Sequence, residues 1–379
     1  MTMRLEEGGV VKAVLDLMSM GMRTDEIGLV TTNPSGVPKD WSEGSAENVH
    51  IHTLEAASGA AGTLTKQQRQ SIERVMSGYD VVHLHSMWGM ANPQVVKICQ
   101  KLGKPYVLSV HGMLDDWCMT QRRPKKIFFL KTWARNLLRD ASVIHCTAQA
   151  ELEQASKWFD PGKGMVAPLP FDLDEYAQLP DESLAYESFP SLDREKPKAI
   201  FLSRINYKKG VDRLIEASAL LHQSGFDHQL IIAGTGEDEY VAQMKSLVDQ
   251  RGIGGSTYFA GFASGAPKVA LLRAADLFVL PTSQENFGFV YFESLGAGTP
   301  VLTTKGTDTW PELESSGAGI IVDNTPHAFA DAMREHLSDT ARLRQMGQRG
   351  RDWTFSTFRP EAVSDSIRAL YTRAMGGAR

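Results

Sequence analysis

The chain has 379 residues, 42% of them hydrophobic and 22% charged, with a formal net charge of −5 at pH 7. That length suits two domains with separate cores, and the composition is that of a globular protein, not a disordered or collagen-like one. The acidic balance removes any overall case for nucleic acid, and no apolar run has the length of a membrane span or the pattern of a signal peptide. Cys99, Cys118 and Cys146 are scattered, outside metal-ligand spacing. They fit a reducing cytoplasm better than a disulfide framework.

Near the start, Gly8 and Gly9 lead into an apolar-periodic stretch that predicts a helix to about Met20. Paired glycines there either let the backbone approach a ligand closely or form a flexible leader. Strands are expected at 27–31, 49–52, 80–86 and 105–110, with a helix at 91–102; alternation at this spacing predicts a doubly wound parallel sheet. His83 and His85 alternate along one strand and so share a face. His111 falls just past the end of the next strand and is followed by Gly112. It is a candidate site residue, set against the ordinary reading of a packed or capping histidine.

Segment 121–139 carries Arg122, Arg123, Lys125, Lys126, Lys131, Arg135 and Arg139 with no acid, interleaved with Phe128, Phe129 and Trp133. A basic helix with an aromatic face can lie on an anionic membrane surface, or can be a core-facing helix with a solvated rim. Further strands are expected at 142–147 and 164–168. The stretch 173–197 is acidic and aperiodic, and reads as a linker.

The second half opens with a strand at 198–203. Arg204 follows at its carboxyl end, and Lys209-Gly210 precedes an amphipathic helix. A guanidinium and an ammonium so placed could hold a diphosphate. A strand from Leu230 ends in Gly234-Thr235-Gly236, weak evidence alone, since a tight turn explains it equally. Another strand, 257–261, runs into Phe262. Residues 275–304 then form a strand, a polar turn, a helix from Gly288 to Leu295 and the next strand. Glu285 and Glu293 flank that helix's first turns, separated by eight residues, about 12 Å of rise and about 80° of rotation. They could meet one extended ligand from two ends, or serve as a cap and a wet face. The amides of Asn286, Phe287 and Gly288 lie at a helix N-terminus, which attracts anions.

The run E-N-F-G-F-V-x-x-E-S-L-G-A-G-T-P-V, together with R-x4-K-G at Arg204 and Lys209, resembles the signature of the retaining nucleotide-sugar glycosyltransferases of family four, which have the GT-B fold. The resemblance implies α/β architecture with two Rossmann-like domains facing a cleft: 1–172, the linker 173–197, 198–358, and a C-terminal helix, 359–379, crossing back to the first domain. It implies transfer of a hexose from a nucleotide diphosphate sugar to an acceptor hydroxyl, on a glycan or lipid-linked acceptor, in bacterial surface or lipid-linked polysaccharide synthesis. Arg204, Lys209, Asn286, Phe287 and Gly288 would hold the diphosphate, Glu293 the ribose, and Glu285 and His111 the sugar. Gly8, Gly9, Gly234, Thr235 and Phe262 would line the donor. No D-x-D pair stands at a plausible place, so no metal and no cofactor is expected, and the location expected is cytoplasmic, with an anionic membrane surface as a possible partner. Two departures stand out. Hardly any residues precede Gly8-Gly9, so the first strand is expected to be missing or very short, through a late start or truncation. Pro168-Leu169-Pro170-Phe171-Asp172 replaces the family's Asn-Gly turn. The rivals are a nucleotide-sugar epimerase, a phosphorylase-like enzyme with lysine-bound pyridoxal, and a non-catalytic sugar-nucleotide-binding subunit.

Overall fold

The computed structural model describes residues 9–21, 24–55 and 62–376, so Gly8 lies outside the described residues. Its strands are β1 (Ile27–Thr31), β2 (Val49–Thr53), β3 (Val82–His85), β4 (Tyr106–Ser109), β5 (Val143–Cys146), β6 (Gly164–Val166), β7 (Lys198–Leu202), β8 (Gln229–Ala233), β9 (Thr257–Gly261), β10 (Leu277–Val279), β11 (Val301–Thr304) and β12 (Gly319–Val322). The chain divides into two compact units, Met1–Pro170 with Pro360–Arg379, and Phe171–Arg359.

In the second unit all six strands form one parallel sheet in the order β12-β11-β10-β7-β8-β9. Counted within the unit this is the doubly wound order, with its reversal point between β7 and β10. Apart from Lys198 at the start of β7 and Gln229 at the start of β8, the strands β7, β8 and β10 are apolar, and β8 and β10 are buried at every position, as parallel strands covered by helices require. Helix Val211–Gln223 places Val211, Leu214, Ile215 and Leu221 in that core.

The first unit carries a four-stranded parallel sheet, β3-β4-β5-β6, and a separate parallel pair, β1-β2. A core around Leu108, Leu137 and Ile144 backs the larger sheet, and another around Val14, Trp41 and Val49 backs the pair. Helix Pro360–Gly376 belongs to this unit and buries Val363, Ile367 and Leu370. Gly9 begins helix Gly9–Gly21; nothing lies within 4 Å of where a Cβ would stand there, so packing against the described residues does not require a glycine.

Two expectations need correction. Residues 173–197 are not a free linker: they carry helices Asp174–Ala177 and Ser183–Ser188 and belong to the second unit. Tyr176 is fully buried, and Arg351 and Arg273 donate to the carbonyls of Tyr176 and Pro180. A single buried side chain and backbone carbonyls bonded by distant arginines leave no periodic trace in sequence. Nor is 121–139 one helix. It breaks into Arg123–Lys131 and Arg135–Arg139, because Ala134, Leu137 and Leu138 turn into the core while the Thr132 hydroxyl bonds back to the Phe128 carbonyl. Phe128 and Trp133 stay exposed, edge to face against each other.

Candidate active site

In the second unit the expected residues collect at the carboxyl ends of β7 and β10, the two strands that flank the order reversal. The loops after them are interlocked. A Cβ on Gly210, which has φ +72°, would sit 2.1 Å from the Pro281 carbonyl oxygen. The Ser283 amide donates to the Lys208 carbonyl at 2.8 Å, and Arg213 donates to Pro281 O and Ser283 Oγ. Only glycine permits so close an approach in a left-handed conformation. That closeness brings Lys209 Nζ onto Glu285 Oε2 in a largely buried ion pair.

Arg204 is exposed and makes no recorded ion pair or hydrogen bond among the described residues, yet its charge reaches Lys209. Burial, then the charges of Arg204 and Lys208, pull the Lys209 ammonium down to about 8, while contact with Glu285 acts in the opposite sense. Glu285 is strapped down on its other side. Its amide donates to Gly306 O and its carbonyl accepts from Asp308 N, while Asn286 Nδ2 donates to Asp308. Phe287 is buried in an aromatic cluster with Phe292, whose ring packs at a tilt against Phe358 with 4.6 Å between centroids. Such clusters fix backbone as well as burying area. Gly288, at φ +65°, then turns the chain into helix Phe289–Gly296. No acceptor is recorded for the Phe287 or Gly288 amide among the described residues. A cation pair and two open amides thus meet at one helix N-terminus.

Glu293 lies one face along the helix and meets Lys268 at 3.2 Å, with Glu175 3.9 Å from the same ammonium. Each acid of the E-x7-E run therefore has its own lysine. Lys268 escaped the sequence reading; the signal available was a lone cation in the first turn of helix Gly265–Ala274, and that is a thin one. Gly234 packs its backbone against Ser203 O, so the tight-turn reading accounts for it without a ligand, while Thr235 and Phe262 stand exposed at strand ends, Phe262 at 74%.

The first unit holds a different kind of cluster. His83 and His85 share a face of β3 as expected and stack at 4.2 Å; His111 stacks on His85 at 5.3 Å. His85 Nδ1 and His111 Nε2 are 3.0 Å apart. A chain of bonds runs beside them from Tyr371 Oη to His83 Nδ1 (2.9 Å), His83 Nε2 to Ser109 Oγ (2.7 Å), Ser109 Oγ to His145 Nδ1 (2.7 Å) and His145 Nε2 to Ala167 O (2.8 Å). Its polarity follows from its end, since a carbonyl can only accept. His145 must donate from Nε2 and, being neutral, accept at Nδ1 from the Ser109 hydroxyl. Ser109 in turn accepts from His83 Nε2–H, and Tyr371 donates to His83 Nδ1. Neutrality is secured by burial, which holds His145 down to about 4 and His83, His85 and His111 well below the ordinary histidine range, with the neighbouring histidines adding to it.

His111 has φ +49° and Ser86 φ +76°, so a residue shortly after β4 and the one that follows β3 are both left-handed without being glycine. Such strain persists where surrounding bonds over-determine it, and it clusters at functional sites. Here the Gly112 amide donates to the buried Glu151 carboxylate, which also accepts from the Thr147 hydroxyl, and Asn92 Nδ2 donates to both the His85 and the Ser86 carbonyls.

Comparison with known proteins agrees with this geometry. The family model for glycosyl transferases group 1 matches residues 186–353, and that for the glycosyl transferase 4-like domain matches residues 8–170. The chain belongs to the GT-B glycosyltransferases of family four. Within that family it is 26% identical to the glycogen synthase of Mycobacterium tuberculosis (strain CDC 1551 / Oshkosh) over 309 residues, 79% of this chain and 70% of the relative. It is 25% identical to the alpha-D-kanosaminyltransferase of Streptomyces kanamyceticus over 371 residues, 90% and 94% of the two chains. The crystal structure of Anabaena Alr3699/HepE in complex with UDP shares the fold, with a TM-score of 0.76 at 18% identity over 96% of each chain. This glycosyltransferase has no helix long and apolar enough to cross a membrane among its described residues.

Proposed function

We propose that this glycosyltransferase moves a hexose from a nucleotide diphosphate sugar to an acceptor hydroxyl with retention of the anomeric configuration. The observation that carries the reading is the Lys209–Glu285 pair beside Arg204, set against the open amides of Phe287 and Gly288 at the strand-order reversal. As the sugar leaves, negative charge builds on the diphosphate, and fixed cations and amides stabilise it at no reorganisation cost. Arg204 and Lys209 take the phosphate oxygens. Glu285, released from Lys209 as the ammonium turns to phosphate, accepts from the sugar hydroxyls, and Glu293 accepts from the ribose. The exposed Phe262 ring offers a flank to the base, and the resemblance assigns His111 to the sugar. The leaving phosphate takes the proton of the incoming hydroxyl on the same face, and the cations do the work for which other transferases use a metal.

The acceptor is proposed to be a glycan or a lipid-linked one. The exposed Phe128 and Trp133, among the exposed cations Arg122, Arg123, Lys125, Lys131 and Arg135, support contact with an anionic membrane surface. A thermal-shift screen against a panel of nucleotide sugars, with and without chelator, tests the donor half. At least one donor should raise the melting temperature equally in both conditions. A chain indifferent to every nucleotide and nucleotide sugar would end the proposal.

A further inference from the structure

The proposed chemistry leaves His85 without a role, although it is the nearest polar neighbour of His111. The register of β3 on β4 sets His85 opposite Ser109, and the left-handed turn at His111 folds its ring back over that pair. No protein group beyond this contact meets Nδ1 of His111 or Nε2 of His85 among the described residues. One imidazole nitrogen of His111 is therefore committed to His85, and the other is left for a ligand.

We propose that His85 is the positioning residue of His111. An unrestrained imidazole can rotate by half a turn about its Cβ–Cγ bond, which puts Cδ2 and Cε1 where Nδ1 and Nε2 stood, at little cost in packing. The single N–H···N bond between Nε2 and His85 Nδ1, 3.0 Å apart, opposes that flip, because the turned ring would present carbon Cε1 in place of Nε2 and lose the bond. His83, stacked beneath His85 and locked by Tyr371 and Ser109, holds the other side of the pair. Substrate thus always meets Nδ1 of His111 at a fixed height, and orientation of this kind is worth a large share of a rate enhancement. The inference rests on His111 facing the sugar.

The test compares His85→Leu with His85→Asn in the full chain. Leucine fills the space without a polar atom, whereas the asparagine amide stands close to where Nδ1 stood. His85→Leu should lower kcat about tenfold, the worth of one orienting hydrogen bond, and leave the donor KM unchanged. His85→Asn should recover most of the loss. Histidine ¹⁵N spectra of the unmodified protein should show His111 Nε2 in a shared-proton bond. Wild-type kcat in His85→Leu, equal loss in both variants at unchanged melting temperature, or a His111 Nε2 signal without a bonded partner would each overturn the proposal. The spectrum decides even if His85→Leu does not fold. Full turnover in His111→Ala removes the sugar-facing role itself, whereas loss there with none in His85→Leu overturns only the positioning by His85.

Discussion

The two candidate sites are built on opposite electrostatic plans. In the second unit every functional acid has a cation: Glu285 holds Lys209 and Glu293 holds Lys268. In the first unit four histidines are stripped of charge by burial and joined by neutral bonds of fixed direction. On the proposed function, the difference follows from what each would meet. A diphosphate needs fixed positive charge, and pairing with an acid keeps that charge from being lost to burial. A sugar hydroxyl needs a donor or acceptor in one place, and a charged imidazole there would be solvated and mobile. Charge serves grip, and neutrality serves aim.

The largest test of that contrast is Lys209→Ala. It removes a phosphate-binding cation and leaves Glu285 to repel the donor, so kcat/KM should fall a few hundredfold, about 3–4 kcal/mol, read with any accepted nucleotide sugar. A fall below tenfold would mean that Arg204 and the amides suffice. The Lys209 value of about 8 adds a pH signature: donor affinity, measured by calorimetry, should be full below pH 8 and decline above it as the ammonium loses its proton.

Acid should separate the units next. A histidine whose folded pKa is depressed lets the unfolded chain bind protons first, so its stability contribution is intact above 6.5 and is lost as pH falls toward 4. For His145 alone that amounts to about 3 kcal/mol, with His83, His85 and His111 acting in the same sense. Scanning calorimetry from pH 7 to pH 5 should lower the first unit's transition more than the second's; parallel shifts would contradict the neutral plan. Phe262→Ala comes third. With the ring already 74% exposed, the melting temperature should hold while nucleotide affinity, by titration calorimetry, drops about tenfold, the scale of one stacked base. Smallest is Tyr371→Phe. It deprives His83 Nδ1 of its donor and should cost about 1 kcal/mol in denaturant unfolding with no change in donor affinity.

Much of the second unit could be read from sequence, because its signals are local. A strand, a polar turn and a helix within 30 residues place Glu285, the amides and Glu293 by spacing alone, and Arg204 and Lys209 follow the same pattern after β7. What spacing could not supply is Lys268, distant in sequence from Glu293, or the Lys209–Glu285 contact, which depends on β7 and β10 being neighbours. The linker reading failed for a related reason: 173–197 has no period, yet Tyr176 and two arginine-bonded carbonyls tie it into the second unit. In 121–139 a membrane-facing and a core-facing helix were equally compatible with the composition; the break into two helices, with Leu137 and Leu138 inward, depends on what the folded core offers them.

The sequence by itself determined the alternation of strands and helices and the family, and it named the acids and cations to which the proposed donor chemistry is assigned, because period and motif are properties of neighbouring residues. The tertiary structure alone decided how β3, β4 and β5 set four histidines side by side, which of them are neutral, and which nitrogen of His111 is left over. Hydrogen-bond direction and desolvation depend on partners that are far apart along the chain and close only once the sheet has formed.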